Sequence, residues 1–256
     1  MTVLFGGARA LLLQAAHPLV IAGARQTGFY ERNPWKRLDR TLRLAYAITF
    51  APEPEARAAA KRINDVHETV HGIDEVTGKT YDALDPDLLL WVHASLVDSA
   101  LLYEQLTVGA LDPAGRQRFH EEQMLAAEAL LLPRDRIPAT VPELRAYMAE
   151  TIANGDTQVT DSALDLAGLF RNLPPEAEWR PVLRAVAWWG FATLPAPVRE
   201  AYGVRWSPAR QALLRANFAA VRAMRPLLPA KVRFIEPYNA WREHRPANYA
   251  VPVARV

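Results

Sequence analysis

Apolar residues recur at intervals of three and four along most of this chain, the spacing that lines one face of an α-helix. Leu89, Val92 and Leu96 follow it in one segment, and Phe218 and Val221 in another. The alternation of period two that marks a half-buried strand is scarce. Asn154-Gly155 is the one dipeptide that resembles a hairpin turn, and it sits between two helical patterns. Helix starts are well marked. Asp85-Pro86, Asp112-Pro113 and Ser207-Pro208 each place a capping side chain before a proline at the first helical position. Thr140 and Glu143 have the spacing of a capping box. The pattern predicts helices over 4–24, 35–50, 54–71, 86–107, 113–131, 142–154, 161–172, 180–194 and 208–226. The expected fold class is all-α, a single globular domain of about nine main helices. The proline pairs between helices are short connections and no repeat stands out. One domain over residues 1–233 is expected, with a tail over 234–256 that carries Tyr238, Trp241 and Tyr249 and packs against it.

Composition narrows the chemistry more than the fold. Half of the 256 residues are hydrophobic and 23% are charged, a balance that suits a packed globular domain. Thirty basic residues against 28 acidic ones leave a net charge of +2, with no concentrated basic face for nucleic acid. The longest apolar stretch, Ala10 to Ala24, is interrupted by Gln14, His17 and Pro18 and is too short for a membrane span. The opening residues lack the basic start and cleavage site of a secretory signal, so cytoplasmic residence is expected. The chain has no cysteine. That excludes disulfides, iron–sulfur clusters, thiolate-ligated or thioether-attached haem, and cysteine nucleophiles.

Three clusters could carry chemistry. The first is His67-Glu68-Thr69-Val70-His71, which matches the zinc metallohydrolase pattern if both histidines share a helix face and Glu68 acts as base. A catalytic zinc needs a third protein ligand; no histidine follows at the expected spacing, and Asp74 and Glu75, the possible ligands that remain, are too close in sequence for the usual arrangement. Gly72 also reads as a helix stop, which leaves His71 as a helix-end cation. The second is Trp35-Lys36-Arg37-Leu38-Asp39-Arg40-Thr41. Arg37 and Thr41 lie one turn apart with Arg40 beside them, an arrangement that suits a carboxylate or phosphate as well as an ordinary basic surface. The third is Gln14-Ala15-Ala16-His17-Pro18, where the proline should kink a helix and free a carbonyl for the His17 imidazole. His93 shares its stripe with Leu89, Leu96 and Ala100 and reads as a buried histidine. His120 and His244 lie in charged segments and read as surface.

Together these segments form an ordered string. It runs Gly7-Ala8-Arg9-Ala10-Leu11-Leu12-Leu13-Gln14-Ala15-Ala16-His17-Pro18, then Pro34-Trp35-x-Arg37-Leu38-x-Arg40-Thr41, then Val66-His67-x-x-Val70-x-Gly72. It continues with Tyr81-x-Ala83-x-Asp85-Pro86 and Leu90-Trp91-Val92-His93-Ala94-x-Leu96-Val97-x-Ser99. It closes with Leu194-Pro195-x-x-Val198-Arg199-x-x-Tyr202-Gly203-x-x-Trp206. Over residues 6 to 228 this string resembles the oxygenase MpaB and rubber-oxygenase (latex clearing protein) catalytic-domain family.

The resemblance implies an all-helical domain enclosing a non-covalent haem b, with a histidine as proximal iron ligand. That histidine falls on His67, and the family's arginine and threonine fall on Arg37 and Thr41. The distal lysine of the latex-cleaving branch falls on Arg40, which cannot lose its proton to bind iron. Arg37, Arg40 and Thr41 are expected at the haem propionates or distal face, and His17 at the pocket wall. His93 is expected to be structural, or to bond the far nitrogen of His67. Glu68 and His71 stand outside the family string, so they complete the zinc pattern by accident. The expected function is dioxygen-dependent oxidation of a hydrophobic, isoprenoid-like small molecule. A haem-binding sensor or carrier is the competing class, and the zinc metallohydrolase a third.

Overall fold

Proline at position 18 divides the long apolar N-terminal stretch into two helices. The computed structural model describes residues 2–27, 34–172, 180–229 and 233–234. In it, α1 (Thr2–Ala15) ends before the proline and α2 (Pro18–Gln26) begins on it. The expected single kinked helix over 4–24 is thus replaced by a break. A residue before proline is pushed out of the helical region, and His17 sits at φ −91°, ψ 116° as the cap of α2. Ending α1 here leaves carbonyls of its last turns to be satisfied. Trp91 Nε1 donates to the Leu13 carbonyl at 3.1 Å, the Tyr202 hydroxyl to Leu12 at 2.8 Å, and the Gln158 amide to Ala16 at 2.7 Å. The His17 ring, expected in that role, does none of this, and its buried Nδ1 has no partner. Donors from three distant parts of the chain hold the break instead.

Among the described residues there are eleven α-helices. Helix α3 spans Pro34–Phe50 and α4 Glu53–His67, packed against each other across a two-residue turn. After a short hairpin come α5 (Pro86–Thr107), α6 (Pro113–Ala129), α7 (Val141–Ala153), α8 (Asp161–Arg171), α9 (Arg180–Ala192), α10 (Ala196–Ala201) and α11 (Pro208–Met224). The expected helix starts hold. Asp85, Asp112 and Ser207 accept from backbone amides of their first turns, and Thr140 with Glu143 forms the full capping box. Asn154-Gly155 closes α7 and makes no hairpin.

Helix α1 runs between α5 and α9 as the central element. The approach is close because small residues face each other. A Cβ on Gly190 would stand 2.9 Å from the Ala8 Cβ, and one on Gly6 would stand 3.2 Å from the Ser99 carbonyl oxygen. Leu12, Leu13, Trp91, Ala94 and Leu144 form the main core. A second cluster gathers Trp189, tilted, and Tyr103, edge-on, against Phe218, at ring-centroid distances of 5.2 and 5.8 Å. Leu96 departs from the stripe expected of it and is 50% exposed.

The expected helix over 54–71 ends at His67, four residues early. Val70 is buried, and its carbonyl accepts the Ala83 amide at 2.8 Å. The following residues enter an antiparallel hairpin of β1 (His71–Ile73) and β2 (Thr80–Asp82), in the register Gly72 opposite Tyr81. No helix among the described residues is long and apolar enough to cross a membrane. The tail from 235 onward, with His244, lies outside the described residues.

Candidate functional site

A cavity of about 460 Å³ lies between the α1–α2–α5–α8 wall on one side and α3, α4 and the hairpin on the other. Its volume is in the range of small-molecule and cofactor sites. Each helix presents the apolar face that its periodicity dictates: Leu11 from α1, Val20 from α2, Leu44 from α3, Ile63 from α4, Val92 from α5 and Phe170 from α8. The polar exceptions are few: Gln14, Thr27, Arg40, Thr41, Arg62, His67 and Tyr81. The cavity is therefore a greasy chamber with isolated polar groups.

The hairpin forms one wall because glycine lets a tyrosine lie flat. A Cβ on Gly72 would stand 2.8 Å from the hydroxyl of its cross-strand partner Tyr81, so the phenol occupies the space a side chain would take. That hydroxyl donates to Gln26 on α2 at 3.2 Å, and Gly23 on the same helix admits Val70 at 3.2 Å. The turn is built by Asp74, whose carboxylate accepts from the Thr77 amide and hydroxyl, with Gly78 at φ +69°. Tyr81 and Gly72 belong to the motif string, yet their role was missed. The legible signal was the Thr80-Tyr81-Asp82 triplet after a glycine turn.

His67 is the last residue of α4 and lines the cavity. Its Nδ1 is buried and has no partner. Burial lowers its pKa, so the ring is neutral and basic near pH 7, the form in which imidazole binds a metal. Arg40, Thr41 and Arg62 are exposed and line the same cavity at its rim. Arg37 is one turn before Thr41 on α3, and its side chain lies outside the described residues. His17 is not among the lining residues. Its ring packs on Trp91 at 6.4 Å, and burial lowers its pKa against the opposing charge of Asp156.

The zinc pattern does not assemble. His71 is exposed on β1 while His67 ends a helix, so the two no longer share a helix face. Asp74 is committed to its turn. Among the described residues no group of three His, Asp or Glu side chains could hold a metal ion.

His120 is completely buried, not on the surface as its charged neighbours suggested. Its Nε2–H donates to the Pro138 carbonyl at 2.8 Å, and its ring lies 6.4 Å from that of His93. His93 is thus a neighbour of His120, across the α5–α6 contact. Burial, aided by His120, pushes the His93 pKa down to about 4. A group held neutral in the folded state but free to ionise near 6.5 when unfolded stabilises the fold above pH 6.5. That contribution falls as pH drops from 6.5 toward 4. Urea unfolding should show wild type losing about 2 kcal/mol between pH 7 and pH 5 through this residue. His93→Phe should flatten that loss; an unchanged pH slope would refute the assignment.

A family model described as "ER-bound oxygenase mpaB/B'/Rubber oxygenase, catalytic domain" matches residues 1–223. No curated protein and no solved structure matches the chain.

Proposed function

The chain belongs to the oxygenase MpaB and rubber-oxygenase catalytic-domain family, and on that premise we propose that it is a haem b-dependent oxidoreductase acting with dioxygen on a hydrophobic small molecule. The observation that carries this reading is a neutral, partly unpartnered imidazole on the wall of an apolar cavity whose rim holds guanidinium groups. That donor set fits the group. His67 offers one nitrogen ligand, which is all the protein need supply on the proximal side of a porphyrin. The chain has no cysteine, which excludes a thiolate ligand and leaves histidine, the proximal ligand of globins and peroxidases, among the ligand types available.

Haem, when bound, supplies the redox chemistry that activates dioxygen. The remaining work falls to the chain. His67 would ligate the iron. Arg37, Arg40 and Arg62 would pair with the two propionates, for which the guanidinium fork is well matched. Thr41 would present its hydroxyl to a propionate or to the distal face. Arg40 holds its positive charge at all relevant pH values, so on the distal side it can donate hydrogen bonds but cannot act as a base or iron ligand. His17 would act behind the pocket wall, packed on Trp91 at the break that Pro18 sets and from which α2 carries Leu19, Ile21 and Ala24 to the cavity. The apolar lining excludes water and accepts an apolar substrate, isoprenoid-like or otherwise.

Ferrous haem-reconstituted protein mixed with dioxygen and a panel of prenylated and aliphatic compounds should yield oxygenated or cleaved product. Mass spectrometry in ¹⁸O₂ should place label in that product. A sample that takes up no haem, or that binds dioxygen reversibly without product from any compound, would refute the reading.

A further inference from the structure

Gln14 interrupts the apolar face that α1 turns to the cavity, between Leu11 and Ala15. Its Nε2 donates to the Ser95 hydroxyl at 3.1 Å, and that hydroxyl donates to the Val92 carbonyl at 2.7 Å. Ser95 is completely buried on α5. A hydroxyl has a single proton. Because Ser95 commits its proton to the Val92 carbonyl, it can only accept from Gln14, so the amide nitrogen and not the oxygen must face Ser95. The relay therefore fixes which way round the glutamine amide sits, a choice usually left open. Among the described residues nothing donates to the Gln14 Oε1. Two other hydroxyls that line the cavity, Thr27 after α2 and Tyr81 on the facing hairpin, have committed their protons. The Thr27 hydroxyl donates to the Ala24 carbonyl at 2.8 Å, and the Tyr81 hydroxyl donates to Gln26.

From this we infer that Gln14 is a specificity-determining residue, an oriented acceptor that reads a single hydroxyl on an otherwise apolar substrate. The substrate class is thereby an isoprenoid-like or aliphatic alcohol or phenol and not a pure hydrocarbon. The inference rests on the proposed use of this cavity for a hydrophobic substrate, but not on turnover. Burying a hydroxyl without an acceptor is costly, and so is leaving the amide oxygen unpaired against an ether or hydrocarbon. A site built around such a pair discriminates through the unpaired group it leaves with the wrong ligand.

The test compares farnesol with its methyl ether, which share the chain and differ in the O–H donor. Calorimetric titration of the full-length haem-loaded protein, with haem content recorded for each sample, should show the alcohol binding roughly tenfold tighter than the ether. Gln14→Leu should erase that preference and Gln14→Glu, which retains an acceptor, should keep it. Ser95→Ala frees the amide to turn and should reduce the preference severalfold while leaving Gln14 in place. Equal affinities in wild type, or a preference that survives Gln14→Leu, would overturn the inference. Protein that takes up no haem on reconstitution yet shows the Gln14-dependent contrast would overturn the haem reading and leave this one standing.

Discussion

His67→Ala protein is expected to retain its fold and lose its haem. After reconstitution and desalting, wild type should carry close to one haem per chain, with a Soret band and a pyridine haemochrome of haem b. Loss of a residue that merely orients a metal ligand costs about 10- to 100-fold in affinity, so loss of the ligand itself should cost at least that much. Helix α4 ends on His67, and alanine favours a helix more than histidine does. The far-ultraviolet dichroism should be unchanged and the melting temperature of the apoprotein should move by only a few degrees. Added imidazole should restore a Soret band to the variant by filling the space left beside the iron. Haem retained with an unshifted Soret band would defeat the assignment. The other histidines are placed less well: His71 is exposed on a strand, His17 packs on Trp91, and His93 neighbours His120. Wild-type protein isolated with one zinc per chain and no affinity for haem would restore the metallohydrolase reading.

The second large effect concerns the core. Arg9→Met is expected to destabilise the protein by about 3–5 kcal/mol. Arg9 lies on α1 with its side chain only 5% exposed. Its guanidinium donates to the Asp98 carboxylate at 2.7 Å, to the Ser99 hydroxyl at 2.7 Å and to the Thr193 carbonyl at 3.0 Å. One side chain thus ties α1 to α5 and to the end of α9. Methionine matches the stem but leaves Asp98, at 14% exposure, with only a longer contact to Arg145 at 3.5 Å. That residual pairing favours the lower end of the range. For a chain of this size the loss corresponds to a fall in melting temperature on the order of 10 °C. Arg9→Met/Asp98→Leu should recover part of it, because no buried charge remains unpaired. The Arg57–Glu53 pair offers the contrast. Both side chains are about three-quarters exposed, and Arg57→Ala should change stability by less than about 0.5 kcal/mol. Equal effects at Arg9 and Arg57 would show that the buried network contributes no more than a surface pair.

The helical class and the helix starts were legible because they depend on neighbours in sequence, whereas the expected nine helices became eleven among the described residues through the break at Pro18 and the short helix Ala196–Ala201. An aspartate or serine before a proline is a helix cap that local sequence marks, and Asp85, Asp112 and Ser207 all act so. The ends of elements were less legible. The helix from 54 was expected to run to 71 because Val66, Val70 and the two histidines keep helical spacing. It stops at His67 because Val70 pairs with Ala83 in a hairpin, a partner 13 positions away. The zinc pattern failed for the same reason, since it presumed a helix through residues that tertiary pairing made extended.

Burial of polar residues was the least legible property. His120 sits among Arg116, Arg118, Glu121 and Glu122, and its neighbours in sequence point to solvent. Its own position on α6 turns it inward, against the Pro138 carbonyl and the His93 ring. Gln14 and Ser95 are 81 residues apart, and their hydrogen bond exists only because α1 crosses α5 at that level. By itself, then, the sequence determined the helical class, the capped starts, a distortion at Pro18 and the ordered motifs of the family, all consequences of local backbone chemistry or residue order. Tertiary structure alone decided which side chains meet in the cavity, which carbonyls at the end of α1 find donors, and which histidines are hidden. Those outcomes depend on contacts between residues distant in the chain, and local periodicity says which face is apolar without saying what it will face.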